Sequence, residues 1–256
     1  RLGIGLDRAA AIVADAVAAG GVRVTGIATH LACADTDDPG DPDSMTAVQL
    51  ARFDAALASL QTTLGHPQTT LGPDAKTTLG REKVAVHAAN SAAALRFPAA
   101  RKSLVRPGIA LYGNGSAARE AGLTQAMHLV TEIAQLRTCA PGSQLSYGAL
   151  FTARERMRIA VLPIGYADGL PRQLTFGGAF LIHGRPCPIA GAVSMDMTLV
   201  DVTALGDQVA VGDPAVAFGQ QNDVIIDTGQ VAARSGLIEY EVTCGLSKRV
   251  PRVYRG

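Results

Sequence analysis

The sequence predicts an α/β part, built as a parallel sheet or as strands of a (β/α) barrel, followed by a compact and mostly β domain. Three observations predict it. Up to about Gly113, Ala-rich helical patterns alternate with short apolar strands, the order of parallel βα units. Residues 115–122 then read as a linker. Beyond them the apolar runs shorten and turns separate them. The predicted domains are residues 1–115 and residues 123–256. With 48% of its 256 residues hydrophobic, the chain holds enough apolar material for one large or two medium domains.

The elements follow in order. Residues 7–19 are rich in Ala and stop at Gly20-Gly21, a normal helix end. Residues 22–28 read as a buried strand that runs to His30. Asp43 and Ser44 are caps for a helix reaching Leu60, with Val48, Phe53, Leu57 and Leu60 at near-helical spacing. Thr-Thr-Leu-Gly recurs at Thr62, Thr69 and Thr77 within residues 61–80, which predicts a duplicated surface loop; three short copies do not make a solenoid. Residues 84–87 are a strand, Asn90-Ser91 opens an Ala-rich helix, and residues 104–112 are a third strand interrupted by Pro107-Gly108. Three strands do not close a barrel, which needs about eight. In the second domain, residues 157–163, 188–193, 198–202, 208–211 and 215–218 are the predicted strands. Helical character returns at 228–234.

A net charge of +1 supplies no electrostatic reason to bind nucleic acid or an anionic membrane. No apolar run approaches a membrane-spanning length. Cys33, Cys139, Cys187 and Cys244 are scattered without a CxxC pair and read as thiols of a reduced, cytoplasmic protein. The chain opens at Arg1 rather than Met, and the motifs below lead us to expect a sizeable segment before it.

Several residues are set for chemistry. Arg106-Pro107-Gly108-Ile109 brings a permanent cation beside open backbone, where the Gly108 and Ile109 N–H groups face an anion. Asn90-Ser91 at a helix start is a second anion-binding point. In β/α barrels phosphate commonly sits after the last two strands, where these two segments would fall. The bland alternative is one Pro-Gly turn and one ordinary N-cap. His30 ends a strand; Cys33 nearby invites a metal reading, but no partner pair completes a site, so a strand-end histidine at a catalytic face competes with a satisfied core histidine. Tyr147, Tyr166 and Tyr240 stand among only five tyrosines, and each taken singly reads as a half-buried aromatic. Ser194-Met195-Asp196 lies between two strands; without a GxSxG elbow it is no hydrolase nucleophile.

Together these strings resemble the alanine racemase family. The resemblance runs in order through Arg1-Leu2-Gly3, Thr29-His30, His87-Ala88-Ala89-Asn90-Ser91, Arg106 to Gly113 and Ser146-Tyr147-Gly148. It continues through Pro163 to Gly169, Ser194-Met195-Asp196, Tyr240-Glu241 and Arg249 to Tyr254. It implies the C-terminal strands of a TIM-like α/β barrel, incomplete in this chain, followed by a β domain. The implied activity is racemisation of L- and D-alanine with pyridoxal 5'-phosphate by two bases on opposite faces, supplying D-alanine for peptidoglycan.

By resemblance, Ser91, the Gly108–Ile109 backbone and the Tyr240 hydroxyl bind the cofactor phosphate. Arg106 faces the pyridine nitrogen, and His30 links Arg106 to Tyr147. Tyr147 is one base and enters the partner subunit of a homodimer with shared active sites. Arg1, Met195 and Asp196 neighbour the substrate carboxylate, and Tyr166 and Tyr240 narrow the entrance. A phenol has a pKa of about 10, so the positive field of His30 and Arg106 is what would favour phenolate. Lysines occur at Lys76, Lys83, Lys102 and Lys248, none in the family's cofactor-lysine setting; the resemblance places that residue in a segment before Arg1. Other readings are a non-catalytic cofactor-binding relative, one chain of a two-chain racemase, or a racemase of broad specificity. A barrel-type decarboxylase would favour an acidic partner at the pyridine nitrogen, and Arg106 speaks against it.

Overall fold

A computed structural model describes residues 3–20, 24–63, 78–79 and 82–255. The chain divides into two compact units, Arg1–Thr124 and Gln125–Gly256.

In the first unit, α1 (Leu6–Ala18) carries Asp7 in its first turn, where a carboxylate complements the helix dipole. Strand β1 (Gly26–Ala28) follows, then α2 (Met45–Thr63). The start of α2 is capped twice: Thr46 N–H donates to the Asp37 carboxylate at 2.7 Å and Ala47 N–H to the Ser44 hydroxyl at 3.3 Å. Leu50, Phe53, Leu57 and Leu60 recur along one stripe of α2 and are all buried. Strands β2 (Thr78–Leu79) and β3 (Glu82–Lys83) pair antiparallel. Apart from its ends in α2 and β2, the Thr-Thr-Leu-Gly loop lies outside the described residues.

Strand β4 (Ala85–His87) pairs with β1 in parallel, in the register Gly26↔Ala85, Ile27↔Val86 and Ala28↔His87. A parallel pair with a helix between its strands is the βα unit that the alternation predicted. Helix α3 (Ser91–Arg96) follows, with the Asn90 side chain accepting the Ala93 N–H. The core gathers Leu31, Phe53, Leu57, Val86 and Phe97 around Ala88, Ala89 and Ala93.

Two expectations for this unit are corrected. Residues 104–107 join no strand, and a 3-10 turn occupies Ile109–Tyr112. Pro107 has no N–H for a ladder and Gly108 breaks away at φ −112, ψ −85; the segment is tied instead by Ser103 N–H to the Val86 carbonyl and Arg106 N–H to the Ala89 carbonyl. The expected linker contains a short helix, α4 (Ser116–Glu120), because Ala117 and Ala118 are buried.

The second unit is mostly β. Strands β5 (Leu129–Glu132), β6 (Gln135–Cys139), β7 (Gln144–Leu145), β8 (Phe151–Thr152) and β9 (Met157–Leu162) come first. Then follow β10 (Ala179–Ile182), β11 (Arg185–Pro188), β12 (Thr198–Asp201), β13 (Pro214–Gln221) and β14 (Val224–Ile226). One sheet runs β12-β9-β6; another runs β11-β10-β13-β14 with β5 also on β13. All these pairings are antiparallel. Their inward faces pack Leu162, Phe180, Ile182, Val200 and Phe218 into one core, closed by Val231 of α5 (Thr228–Ser235) and Val242 of α6 (Glu239–Cys244).

Two predicted strands do not form as drawn. After β11 the chain changes partners at Ile189, which bridges Val200, and turns at Gly191 with φ +97. The stretch 208–211 is the end of a 3-10 turn and a loop whose Ala210 N–H is taken by the Asp213 carboxylate. Among the described residues, no helix is long and apolar enough to cross a membrane.

Candidate active site

Each unit carries its own group of candidate residues. In the first, Ser91 begins α3 because Asn90 caps it, and the Asn90 amide also donates to the Leu31 carbonyl at 3.0 Å. The Ser91 hydroxyl oxygen accepts the Gly108 N–H at 2.8 Å and the Ala110 N–H at 3.3 Å. Two backbone donors are therefore spent on Ser91, while its hydroxyl hydrogen remains to donate to an acceptor beyond them. Ile109 is buried at the start of the 3-10 turn. A Cβ added at Gly108 would meet nothing within 4 Å, so there is room for a ligand at that backbone.

Arg106 is held on three sides. Its Nη1 lies 2.6 Å from His87 Nδ1, and its Nη2 donates to the carbonyls of Thr29 at 2.9 Å and Ala88 at 3.1 Å. His87 ends β4, Thr29 follows β1, and the parallel register brings those two strand ends together. Burial first, and then the Arg106 charge, push the His87 pKa below its ordinary 6.5. Thr29, His30 and Arg106 share the wall of a cavity of about 860 Å³ whose remaining lining is largely apolar, including Ile27, Phe53 and Leu60. Ser91, Gly108, Ile109 and Arg106 thus form one neighbourhood, with His30 on its cavity side. Arg1 lies outside the described residues.

In the second unit, Tyr147 stands on a 3-10 turn (Tyr147–Ala149) between β7 and β8 and is 78% exposed. Ser146 before it has φ 64, and its hydroxyl accepts the Ala192 N–H at 2.8 Å. The loops carrying Tyr166 and Met195 are bonded backbone to backbone: Tyr166 N–H to the Ser194 carbonyl at 3.0 Å, and Ala167 N–H to the Met195 carbonyl at 2.8 Å. They lie so close that a Cβ at Gly165 would overlap the Ser194 and Met195 carbonyl oxygens. Asp168 closes the arrangement. Its carboxylate accepts the Gly165 N–H at 2.8 Å and Arg249 Nε at 2.6 Å, and its own carbonyl accepts the Ser247 N–H at 3.0 Å. Burial pushes the Asp168 carboxyl up, but the Arg249 and Gly165 hydrogen bonds and the Arg249 charge outweigh it and hold it below the usual 3.8. Asp196 contributes to the negative field on Arg249. Tyr240 lies half exposed on α6, apart from these loops in sequence.

Three supporting residues, His87 and the pair Asp168 and Arg249, had no role assigned from the sequence. His87 had a readable signal: it ends a parallel strand at the same level as the chain entering His30. The Asp168–Arg249 pair had none, since its members lie 81 residues apart.

Family models described as "Alanine racemase, N-terminal domain" and "Alanine racemase, C-terminal domain" match residues 1–115 and 126–254. A curated alanine racemase of Sorangium cellulosum is 38% identical over 260 residues, covering 100% of this chain and 63% of that one. A solved alanine racemase of Streptomyces coelicolor A3(2) superposes with a TM-score of 0.81 at 33% identity, covering 99% of this chain and 62% of that chain. One from Bartonella henselae, described with covalently bound pyridoxal phosphate, superposes with a TM-score of 0.80 at 27% identity, covering 100% and 63%. The chain spans 58–63% of the length of the first curated relatives it matches.

Proposed function

The chain belongs to the alanine racemase family, and on that premise we propose that the complete protein interconverts L- and D-alanine with pyridoxal 5'-phosphate, supplying D-alanine for peptidoglycan. The family fold, an N-terminal barrel domain and a C-terminal β domain, is the fold of this chain. The finer reading is that residues 1–115 are the C-terminal part of the barrel and bear the phosphate site, while residues 123–256 bear a tyrosine base. The parallel β1–β4 pair and the partial span of the relatives support it.

One observation carries the reading: Arg106 is fixed at a cavity wall while the nearby Ser91 hydroxyl, which accepts the Gly108 N–H, keeps its own proton to donate beside the open space at Gly108. That donor set fits the cofactor, an anion at one end and a pyridine nitrogen at the other. Ser91, the Ile109 N–H and the Tyr240 hydroxyl would hold the phosphate, and Arg106 would meet the ring nitrogen; the Gly108 N–H, expected from the sequence to face the anion, goes to the Ser91 oxygen instead. When bound, the cofactor supplies an electron sink that acidifies the α-hydrogen of alanine. Arg106 cannot release its proton, so it holds a nitrogen beside it unprotonated and tempers that sink.

Tyr147 would move the proton on one face, from a neighbouring subunit of a homodimer with shared sites. Its exposure supports this role, as does the exposed apolar set of Leu150, Phe176, Met195 and Met197 on the same unit. His30 and Arg106 would favour its phenolate. Arg1, Met195 and Asp196 would neighbour the substrate carboxylate, and Tyr166 and Tyr240 the entrance. The base for the opposite face is not assigned to this chain; Lys102, for one, pairs with Asp54 at 2.7 Å. Cysteines that form no disulfide support a cytoplasmic location. A chiral product assay on the complete protein with added cofactor tests the proposal: D-alanine should form from L-alanine, and its absence overturns the activity. Tyr147→Phe should retain the cofactor yet lose proton exchange on one face; full activity in both directions removes Tyr147 from its role.

A further inference from the structure

The contact that orients Arg106 has a chemical consequence. A guanidinium has five donors and no acceptor, so at 2.6 Å the His87 Nδ1 must present its lone pair and carry its proton on Nε2. The other two acceptors on Arg106 are backbone carbonyls, of Thr29 and Ala88. Among the described residues no carboxylate lies within ion-pair distance of Arg106. The arginine is therefore clamped entirely by neutral groups. That is not the only way to hold it: a carboxylate at the His87 position would hold it as firmly, with a charge-assisted bond. It would also offset the positive field that Arg106 presents on its other side.

We propose that His87 is a positioning residue, an uncharged acceptor that aims Arg106 at the cofactor ring nitrogen while leaving its positive charge undiminished. The proposal rests on the racemase reading for the identity of what Arg106 faces; the clamp itself does not. His87 suits the task in two further ways. Its backbone is fixed by the parallel register with Ala28, and its Nε2 lies 3.7 Å from where a Gly26 Cβ would sit, so the ring rests against β1 at a position that has no side chain. Protonating it would set two cations face to face, and its lowered pKa guards against that.

Three variants separate orientation from charge. His87→Asn keeps a neutral acceptor at similar reach, His87→Asp makes it anionic, and His87→Leu removes it. The probe is pyridoxamine 5'-phosphate, which needs no lysine to bind, labelled with nitrogen-15 in the ring. Affinity is read by titration and ring protonation by the nitrogen shift. Wild type and His87→Asn should hold the ring unprotonated, His87→Asp should shift it toward the protonated form, and His87→Leu should weaken binding about tenfold or more. A ring still fully unprotonated in His87→Asp overturns the charge argument, and unchanged affinity in His87→Leu overturns the positioning.

A measurement on the unliganded wild-type chain keeps the clamp testable whatever the variants do. Imidazole nitrogen-15 spectra should show the Nε2–H tautomer of His87 with Nδ1 as acceptor; an Nδ1–H tautomer overturns the clamp. Failure of the wild type to bind the probe, with the clamp tautomer present, refutes the cofactor reading and the aim of Arg106 at a ring nitrogen, but not the clamp.

Discussion

Replacing Asp168 by Ala removes the carboxylate that ties the Gly165–Asp168 turn to Arg249 in the second unit. The Gly165 N–H, set against the Ser194 and Met195 carbonyls, loses its acceptor, and an orphaned buried N–H costs about 1–3 kcal/mol. The Arg249 bond is lost as well. It is short at 2.6 Å, but Arg249 is half exposed, so solvent screens the pair and the lost backbone acceptor dominates. Asp168→Ala should therefore destabilise the chain by about 1–3 kcal/mol, and Arg249→Ala by less. A double-mutant cycle in urea, followed by circular dichroism, should return a coupling outside the additivity of independent sites. Hydrogen exchange gives the local readout: the Tyr166 and Ala167 amides, bonded to Ser194 and Met195, should lose protection in Asp168→Ala. A coupling below about 0.3 kcal/mol, within the additivity of independent sites, would refute the pair as a brace. Arg249→Ala costing more than Asp168→Ala would refute Asp168 as its hub. The sign with pH is also set. The folded carboxyl titrates below 3.8, so its stabilisation is present above that value and is lost as pH falls through the folded one.

Ser91→Ala should weaken pyridoxamine 5'-phosphate binding about tenfold, measured by titration, since it removes the hydroxyl proposed as donor to the phosphate; equal affinity would dismiss the residue from the proposed cradle. Asn90→Ala should cost about 1 kcal/mol in urea unfolding through the lost cap on Ala93 N–H; no change would mean the cap is idle. Because the folded His87 pKa lies below 6.5, the unfolded chain binds that proton more readily. Its stabilisation should be complete above pH 6.5 and decline as pH falls through the folded value. His87→Asn should flatten that part of the stability profile, and an identical profile would show that His87 does not contribute.

The elements legible in the sequence are those that carry their own local instructions. The Asn90 cap, the α2 stripe of Phe53, Leu57 and Leu60, and the apolar runs that became β9, β12 and β13 needed only periodicity and capping chemistry. That Ser91 and Gly108 fall together near Arg106 was legible from Ser, Gly and Arg types at strand and helix ends, whereas the Gly108 N–H, expected to face an anion, turns to Ser91. Where a strand depends on a partner, the local pattern was insufficient. Residues 104–112 and 188–193 have strand composition, yet Pro107 and the turn at Gly191 redirect them. The supposed linker folds as α4 because Ala117 and Ala118 have a core to enter.

The sequence by itself determined the kinds of element, their order, the division into an α/β part and a β part, and the residue types that carry the chemistry. Only the tertiary structure decided which groups meet. Arg106 finds His87 because β1 and β4 pair in parallel and in register, and Asp168 finds Arg249 across 81 residues. Local propensity acts over a few residues along the chain, whereas a hydrogen bond or a charge acts over a few ångströms in space. The fold alone converts one separation into the other, which is why the tautomer of His87 and the brace at Asp168 belong to the structure.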